Sequence, residues 1–430
     1  MNRVAVVGLG YVGLTLAVAL ARKGFTVFGC DREPRVLAAL AARRMPRHEP
    51  GVEEGLREFL GTRLHVAATL PRESVDAAII CVSTPVDLDT QTPRLNYVRD
   101  AARAVAEACD PATLVVVRST VPVGTTRGVV LPELHACWAR PRLAFCPERT
   151  IQGQALRELE LLPQVVGGLD TESRDGAVAL FARLTPRVVP VSSLEAAEMV
   201  KLINNCHTDV IYAFGNEVAL MAERFALDPL ELIRAANVEY PRPDLAKPGF
   251  VGGGCLSKDP YILVASARSR DHEPWLVGQA RRLNERLPIH VAERFLALLA
   301  ETRGTLSGVR VLLLGFAYKG WPPTDDMRGA PVLPMLPVLK SAGLELRGHD
   351  FLVAPDVIRG LGVAPCALDD GFDGSDGVLV ITDHPEYAKL ESGTIAARLR
   401  KPALVFDCWR ILDEDVLRSA GVRYAGIGYG

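Results

Sequence analysis

The stretch VAVVGLGYVGL at residues 4–14 decides the fold. A continuous apolar run, typical of a buried strand, leads into Gly8, Gly10 and Gly13 at the spacing G-x-G-x-x-G, and a helical pattern follows. The first glycine of such a turn permits the tight bend, the second lets a pyrophosphate approach the backbone, and the third lets helix and strand pack closely. The stretch predicts a dinucleotide-binding unit; a glycine-rich turn in an unrelated α/β protein is the alternative.

Asp31 indicates which dinucleotide is bound. It lies at the end of the next predicted strand, where an acid accepts hydrogen bonds from the adenosine ribose hydroxyls and repels a 2′-phosphate. We therefore expect NAD rather than NADP, with its pyrophosphate at the helix N-terminus. The adjacent Arg32, which we also expect in the cofactor site, is the feature here that would suit a 2′-phosphate.

Alternating strands and helices predict the organisation of the first part of the chain. Continuous apolar strands separated by helices indicate a doubly wound α/β domain whose parallel sheet is covered on both faces. The predicted strands are residues 4–7, 26–30, 77–82, 114–118, 143–146 and 164–167. Residues 193–226 contain no proline and one glycine, and their apolar side chains recur at three- and four-residue steps, which predicts one long helix.

The strand–helix alternation restarts near residue 305 and predicts a second doubly wound domain. Its strands are expected within residues 309–318, 344–350, 376–384 and 403–409, with a helix at 332–343. Only the first domain has a glycine fingerprint. We expect a Rossmann NAD-binding domain at 1–192, a central helical domain at 193–304 whose long helix is a candidate dimer seam, and a second Rossmann-like domain at 305–430.

The composition excludes several classes of protein. The chain has 430 residues with a formal net charge of −2, so no basic field attracts nucleic acid or an anionic membrane. Nine cysteines without a C-x-x-C pair argue against a disulfide framework or a zinc site and for a reducing compartment. No apolar run approaches the ~20 residues of a membrane span, and no signal-peptide pattern is present. We expect a cytoplasmic protein that holds no metal.

Seven segments, in order, resemble the UDP-glucose/GDP-mannose dehydrogenase family over nearly the whole chain. They are GLGYVGL at 8–14, CVSTPVD at 81–87, RSTVPVGTT at 118–126, CPER at 146–149, EMVKLINN at 198–205, GGGCLSKDP at 252–260 and GFAYKGWPPTDDMRGAP at 315–331. The resemblance implies a homodimer that oxidises the C6 alcohol of a nucleotide sugar to a carboxylate with two NAD, and it implies that the domain at 305–430 binds the UDP-sugar. CPER resembles the branch that uses UDP-N-acetylmannosamine or UDP-N-acetylglucosamine, whereas GGGCLSKD resembles the UDP-glucose branch, so the sugar stays open.

Cys255 is the expected nucleophile of this chemistry. The second oxidation needs a thiolate that adds to the aldehyde as a thiohemiacetal and becomes a thioester, which water then cleaves. Cys255 follows three glycines and precedes Lys258 and the apolar helical stretch 256–267, and a helix start and a nearby lysine favour a thiolate. A small buried hydrophobe is the alternative, and it is what we expect of the other eight cysteines.

The resemblance assigns five further catalytic candidates. Lys201 and Asn205, four residues apart on one helix face, would serve at the C6 oxygen as base or electrostatic clamp and as oxyanion donor. Asp259 would order a water or polarise the lysine, Thr120 would position water or the nicotinamide, and Glu148 would assist thioester hydrolysis. The alternatives are a solvated helix face for Lys201, a first-turn aspartate for Asp259 and a turn cap for Thr120.

The remaining candidates bind the cofactor or the sugar nucleotide. The cofactor set is Gly8, Gly10, Tyr11, Val12, Gly13, Asp31, Arg32, Ser83, Thr84, Pro85, Ser119, Thr120, Lys258 and Arg328. The substrate set is Glu148, Arg149, Lys201, Asn205, Arg242, Phe250, Gly252 and Lys319. Arg242 resembles an arginine that reaches the neighbouring subunit's substrate, although any surface arginine would look the same. Gln152 replaces an acid of the glucose branch, and whether Glu158 substitutes for it stays open.

Three rival functions remain. The nearest is UDP-glucose 6-dehydrogenase, which would release glucuronate. A two-electron dehydrogenase of the β-hydroxyacid type would release one NADH per substrate and tolerate loss of Cys255. A catalytically silent NAD-binding regulatory protein would have no need of a nucleophile, a lysine and an asparagine together.

Overall fold

The computed structural model describes residues 1–45, 48–70, 74–87, 89–241 and 243–430. The chain forms two compact units. Unit 1 comprises Met1–Asn205 and Lys258–Pro274, and unit 2 comprises Cys206–Ser257 and Trp275–Gly430. The division of the chain into three domains stays a prediction.

Sixteen strands are present in the described residues. They are β1 Arg3–Val7, β2 Thr26–Cys30, β3 Leu64–Ala67, β4 Ala77–Ile80, β5 Val86–Asp87, β6 Thr92–Pro93, β7 Leu114–Val117, β8 Arg142–Phe145, β9 Gln164–Gly168, β10 Val188–Pro190, β11 Arg310–Leu314, β12 Glu345–His349, β13 Ala364–Pro365, β14 Gly377–Val380, β15 Ala403–Asp407 and β16 Val422–Ala425. The long strands confirm the predicted α/β class. The two-residue strands β5 and β6 form a small antiparallel hairpin.

Seventeen α-helices accompany these strands in the same described residues. They are α1 Tyr11–Arg22, α2 Pro34–Ala41, α3 Val52–Phe59, α4 Asn96–Ala108, α5 Leu131–His135, α6 Ala155–Leu161, α7 Thr171–Phe181, α8 Leu194–Arg224, α9 Pro229–Asn237, α10 Gly253–Leu256, α11 Asp259–Arg268, α12 Trp275–Arg303, α13 Val332–Ser341, α14 Pro355–Gly360, α15 Leu368–Phe372, α16 Ser392–Arg398 and α17 Glu414–Ser419. A π-helical turn, Thr126–Val130, precedes α5, and a 3₁₀ turn, Tyr387–Lys389, precedes α16. The long helix expected at 193–226 is confirmed as α8.

Unit 1 is built on an eight-stranded sheet in the order β10-β9-β8-β7-β4-β1-β2-β3. Every residue of β4 and β7 is buried, as expected for strands that helices cover on both faces. Helix α1 is buried along residues 13–21 because it packs directly behind the glycine turn. The carboxyl ends of the central strands β1, β4 and β7 therefore share one edge, where ligands bind in doubly wound sheets.

One strand pair departs from the expected parallel sheet. Strand β9 runs antiparallel to β8. The connection between them carries only the short helix α6, and the buried carboxylate of Glu49 accepts hydrogen bonds from the Gly153 and Ala155 amides at 2.6 and 2.7 Å. The connection is thereby held at the carboxyl edge of the sheet. The chain re-enters from that edge, so β9 runs in the opposite direction.

Unit 2 has a six-stranded, fully parallel sheet in the order β13-β12-β11-β14-β15-β16. Its first turn repeats that of unit 1. The Gly315 amide donates to the His349 carbonyl at 3.0 Å, and the Phe316 amide to Asp350 at 2.6 Å. The next helix starts only at Val332, so a long loop follows this turn. The predicted second Rossmann-like sheet is confirmed. Its first turn has the same hydrogen bonds as that of unit 1, although the sequence there lacks the glycine fingerprint.

The unit 1 turn contains the corresponding pair of hydrogen bonds. The Gly8 amide donates to the Cys30 carbonyl at 2.8 Å, and the Leu9 amide to Asp31 at 2.7 Å.

In the described residues, no helix is both long enough and apolar enough to cross a membrane. No cluster of three or more His, Cys, Asp or Glu side chains in those residues could hold a metal ion.

Candidate active site

The glycine turn of unit 1 has the shape of a dinucleotide cradle. A Cβ atom added to Gly13 would overlap the Gly8 carbonyl oxygen, so the turn packs on α1 only with glycine there. A Cβ added to Gly10 would meet nothing within 4 Å, which leaves open space at the N-terminus of α1. The first turn of α1 contains no acidic side chain. Free space and unopposed helix N–H groups suit a pyrophosphate.

Asp31 lies beside this cradle at the end of β2. Its Oδ2 accepts the Leu9 amide at 2.7 Å and its Oδ1 accepts the Glu33 amide at 2.9 Å. Each carboxylate oxygen has two acceptor positions, so one on each oxygen remains for a ribose hydroxyl. The residues present therefore fit NAD.

Tyr11 fastens the start of α1 to the loop before α6. Its hydroxyl donates to Glu49, and the Gly153 amide approaches both side chains, at 3.3 Å from the Tyr11 hydroxyl and 2.6 Å from Glu49. Burial, and next the hydrogen bond to Glu49, raises the pKa of Tyr11 well above its ordinary value. Val12 packs against the core, whereas Arg32 is exposed, lies over the Tyr97 ring and pairs with Asp100 at 3.4 Å.

The ends of β4 and β7 bring the next group of predicted cofactor residues together. The Ser119 hydroxyl donates to the Val82 carbonyl at 2.6 Å, and the Thr84 hydroxyl donates to the Thr120 carbonyl at 2.5 Å. Ser83 and Pro85 lie in the loop after β4. The glycine turn packs against the start of this loop, since a Cβ on Gly8 would lie 3.0 Å from the Val82 nitrogen. These strand ends and the cradle therefore form one continuous surface.

Glu148 is buried and fully hydrogen-bonded at the end of β8. Its Oε2 accepts Nε and Nη2 of Arg118 at 3.1 and 2.7 Å, and its Oε1 accepts the amides of Arg149 and Thr150 at 2.7 and 2.9 Å. Burial alone would raise the pKa of Glu148, but the charge of Arg118, these hydrogen bonds and the charge of Lys201 outweigh it and lower the pKa. Glu148 is therefore an ionised group whose four acceptor positions are all used.

Arg118 was not among the predicted site residues, although it opens the segment RSTVPVGTT. Its Nη1 also donates to Gln164 and to the Cys146 carbonyl at 3.1 and 3.3 Å. Cys146 is a buried structural thiol, as expected, and burial raises its pKa to about 12. A fully buried guanidinium on a strand end has no local sequence signature, because surface arginines occur in the same patterns.

Arg149 and Glu158 make hydrogen bonds within the connection between β8 and β9. Arg149 Nη1 donates to the Pro163 carbonyl at 3.3 Å. Glu158 accepts the Ile151 amide at 2.6 Å, so its carboxylate orders the loop that contains the buried Gln152. This contact gives the Glu158 carboxylate a structural role in the loop.

Asp259 is the centre of the second polar cluster of unit 1. It is fully buried as the first residue of α11, and its Oδ2 accepts Asn205 Nδ2 at 2.5 Å while its Oδ1 accepts Lys258 Nζ at 2.8 Å. Lys201, one turn before Asn205 on α8, is 7% exposed and contributes to the low pKa of Glu148. Four predicted residues therefore lie on α8 and at the start of α11, and direct hydrogen bonds link three of them, Asn205, Lys258 and Asp259.

Glu198 fixes the loop that follows Thr120 onto α8. Its buried carboxylate accepts the amides of Gly124 and Thr126 at 2.5 and 2.8 Å, and the Thr126 hydroxyl at 2.6 Å. The Val123 amide donates to Ser266 on α11 at 3.0 Å. The loop is thus tied to both helices that carry the Asp259 cluster. Sequence reasoning missed Glu198, although it opens the segment EMVKLINN.

Cys255 lies in unit 2 on the four-residue helix α10, and its side chain is exposed. The preceding glycine is required by packing, because a Cβ on Gly254 would overlap the guanidinium of Arg328. Arg328 pairs with Asp326 at 2.6 Å and interacts electrostatically with the Cys255 thiol. The expectation of one helical stretch over 256–267 is wrong: α11 begins separately at Asp259, since Pro260 suits only a first helical turn.

The remaining substrate candidates of unit 2 surround the same loop. Phe250 is buried edge-to-face against Trp409, and a Cβ on Gly252 would overlap the Gly329 carbonyl. Lys319 Nζ lies 5.4 Å from the Tyr318 ring centroid. Arg242 falls outside the described residues.

Comparison with known proteins gives matches over the whole chain. Three domains of the UDP-glucose/GDP-mannose dehydrogenase family match in order: the NAD-binding domain at residues 2–185, the central domain at 195–286 and the UDP-binding domain at 312–414. The UDP-N-acetyl-D-mannosamine dehydrogenase of Pyrococcus horikoshii is 32% identical over 435 residues, which cover 100% of this chain and 99% of that protein.

Solved structures give the same result. A UDP-D-ManNAc dehydrogenase structure from Pyrococcus horikoshii has a TM-score of 0.88 at 31% identity and covers 100% of this chain and 99% of that one. A UDP-glucose dehydrogenase structure from Pyrobaculum islandicum has a TM-score of 0.83 at 28% identity and covers 100% and 98%. The predicted fold class and NAD as cofactor are confirmed.

Proposed function

Since the chain belongs to the UDP-glucose/GDP-mannose dehydrogenase family, we propose that it oxidises the C6 alcohol of a UDP-N-acetylhexosamine, UDP-N-acetylmannosamine or UDP-N-acetylglucosamine, to the uronic acid. That it is an NAD-dependent nucleotide-sugar dehydrogenase follows from the family and its relatives. The observation that carries the choice of sugar is the full-length likeness to a relative named for UDP-N-acetylmannosamine. The CPER segment at 146–149 agrees with it.

The polar cluster of unit 1 supports the alcohol-oxidation step. Asn205 spends one Nδ2 hydrogen on Asp259 and keeps the second to donate to the C6 oxygen. The buried amino group of Lys201 stabilises negative charge on that oxygen or takes its proton. Glu148, with every acceptor position used, contributes a fixed negative charge rather than a proton acceptor.

Cys255 supplies the nucleophile of the second oxidation. Its thiolate forms a carbon–sulfur bond with the aldehyde, and the carbonyl oxygen takes up a proton to give a thiohemiacetal. Loss of that proton and of a hydride leaves a thioester. Water then adds, the carbon–sulfur bond breaks, and the carboxylate and the free thiolate are released. The glycine cradle and Asp31 would hold NAD, which would supply the hydride acceptor for both oxidations.

We also propose that the protein is a homodimer. Unit 2 exposes large apolar side chains on α8, in the connection after it, on α9 and at the start of α12, and such a concentration is unusual for a free surface. They include Tyr212, Phe214, Met221, Phe225, Leu227, Leu232, Trp275 and Leu276. Phe225 is 75% exposed and Trp275 78%. Light scattering should give twice the monomer mass of 46.5 kDa, and Phe225→Glu should reduce it to the monomer value.

UDP-glucose 6-dehydrogenase is the second candidate. The GGGCLSKD segment resembles that branch, and one of the similar structures is a UDP-glucose dehydrogenase.

The cytoplasm is the proposed compartment, since all nine cysteines are free thiols.

The test is the yield of NADH from a limiting amount of each nucleotide sugar, with NAD in excess. The panel contains UDP-N-acetylmannosamine, UDP-N-acetylglucosamine, UDP-glucose and GDP-mannose. About two NADH per acetamido sugar, with an acetamido uronate as the product, are expected from the covalent route. A faster reaction with UDP-glucose would favour the second candidate. One NADH per sugar would exclude the Cys255 mechanism, and no NADH from any sugar would favour a silent NAD-binding protein.

A further inference from the structure

A buried polar network lies behind the cysteine loop, residues 249–256, of unit 2. It consists of Asp209 and Asn216 on α8 and Arg281 and Asn284 on α12, none more than 2% exposed. Burying charged groups costs free energy unless every partner is well placed, and an apolar set of similar volume is often at least as stable. Such a network is better suited to fixing a geometry than to stabilising the fold.

Arg281 connects the network to both sides of Cys255. Its Nη1 donates to the Leu256 carbonyl at 2.8 Å, and its Nη2 donates to the Val251 carbonyl at 3.2 Å. Leu256 directly follows Cys255, and Val251 precedes it by four residues. Because a guanidinium is planar and presents its donors in a rigid fork, one side chain sets the separation of the two carbonyls.

The guanidinium is itself held in place. Asp209 Oδ1 accepts Arg281 Nη1 at 2.8 Å and Asn284 Nδ2 at 2.9 Å. Asn216 then accepts the Gly249 amide at 2.8 Å and donates to Asn284 at 2.9 Å. The chain of hydrogen bonds therefore starts at one end of the loop, passes through both helices, and returns to the loop through Arg281.

We propose that Arg281 is a positioning residue that holds Cys255 for attack on the aldehyde. Arg281 is 2% exposed whereas Cys255 is exposed, so the backbone is fixed from behind and the thiol is left free. On the other side, Gly254 lies against the guanidinium of Arg328. Two arginines therefore contact the loop: Arg281 binds two of its carbonyls, and Arg328 lies against Gly254 and interacts electrostatically with Cys255. This role rests on the proposed function, because it takes Cys255 to be the nucleophile.

The two oxidations respond differently to a loosened loop. The first oxidation removes a hydride and a proton from the C6 alcohol without the thiol. The second requires the carbon–sulfur bond to form. Displacement of Cys255 therefore slows the second step selectively, and the aldehyde is released into solution before it is captured. A loss of stability without a change in the loop would reduce both steps together.

The test compares Arg281→Lys with Arg282→Lys, the adjacent exposed position on α12, as the matched control. Lysine keeps the charge beside Asp209 but cannot bridge two carbonyls and a carboxylate. Amide hydrogen exchange in residues 249–257 should accelerate about tenfold or more in Arg281→Lys, the factor for losing one charge-assisted hydrogen bond. The control should match the parent protein. Asp209→Asn, which keeps the shape and removes the charge that orients Arg281, should give the same change in smaller measure.

Turnover supplies the second readout. NADH per sugar should fall from about two toward one in Arg281→Lys, with an aldehyde that a hydrazine reagent traps, and the KM for NAD should stay unchanged. Unchanged hydrogen exchange of residues 249–257 in both Arg281→Lys and Asp209→Asn would overturn the proposal. An equal loss of the first and the second oxidation in Arg281→Lys would also overturn it. Failure of the proposed function would show differently: the parent protein would yield no uronate, while the exchange comparison would still report on the loop.

Discussion

Arg118→Met tests whether the carboxylate of Glu148 depends on one buried partner. The Arg118 side chain has no exposed surface and donates two hydrogen bonds to Glu148, whose own side chain is 10% exposed. Methionine approximates the length of the arginine stem, so the substitution removes the charge and the donors with little change in volume. A buried carboxylate then remains without its counter-charge.

Removing one partner of a buried ion pair costs about 3–5 kcal/mol, which raises the unfolding equilibrium constant roughly 10²- to 10³-fold or more. The loss depends on pH. In the parent protein the pKa of Glu148 is lowered, so its contribution to stability is complete above the ordinary value of about 4.3 and is lost as the pH falls through the lowered value. In Arg118→Met we expect burial to outweigh the Thr150 hydrogen bond and the Lys201 charge and so to raise the pKa of Glu148, which should relieve the destabilisation as the pH falls from 7 toward 5.

The assay is pulse alkylation of Cys109 along a urea gradient. Cys109 is buried in unit 1 and is not among the hydrogen-bond partners of Arg118, so its labelling reports the unfolding of that unit. The matched control is the double variant Arg118→Met, Glu148→Gln, which removes both charges and should recover most of the loss. A single variant within about 1 kcal/mol of the parent, or a double variant no more stable than the single one, would refute the argument.

Three further outcomes are expected. Cys255→Ser should abolish steady uronate formation while NAD binding, measured by calorimetry, is retained; undiminished turnover would exclude the thioester route. Asp31→Ala should narrow the preference for NAD over NADP in kcat/KM, and an unchanged ratio would remove Asp31 from the ribose site. Gly13→Ala should weaken NAD binding about tenfold or more in the same calorimetric assay, because its Cβ would overlap the Gly8 carbonyl and distort the cradle; parent-like affinity would contradict the close packing.

Local patterns explain which parts of the fold could be predicted. The strand at 26–30 has the predicted bounds, and the helix expected at 193–226 is Leu194–Arg224. Both predictions use only neighbouring residues. The strand is marked by an uninterrupted apolar run, and the helix by apolar side chains that recur every three or four residues without a proline. The glycine turn likewise combines strand, turn and helix within eleven residues, so its geometry follows from local sequence.

Long-range partners explain what could not be predicted. Strand β9 is reversed, and the loop before it is bound by Glu49, which lies about a hundred residues earlier in the chain. The turn at Gly315 repeats that at Gly8 through hydrogen bonds to the next strand, which no glycine motif marks. Arg281 and its partner Asp209 are 72 residues apart, and each alone has the pattern of a solvated charge on a helix. Such groups are distinguished by burial, which depends on the tertiary packing.

The two buried arginine–carboxylate pairs therefore have a common physical interpretation. Arg118 with Glu148 and Arg281 with Asp209 are each at most 10% exposed in both side chains, so each bears a desolvation cost that an apolar pair would avoid. Each also binds backbone of a segment that carries a candidate reactive group: the loop after β8 in one case and the cysteine loop in the other. If the pairs existed for stability, neutralising both partners would reduce it; if they exist for geometry, stability is kept and turnover is lost. The unfolding midpoint of the double variant of Arg118 and Glu148 tests the first case, and the NADH yield of Arg281→Lys, which leaves the proposed catalytic residues in place, tests the second.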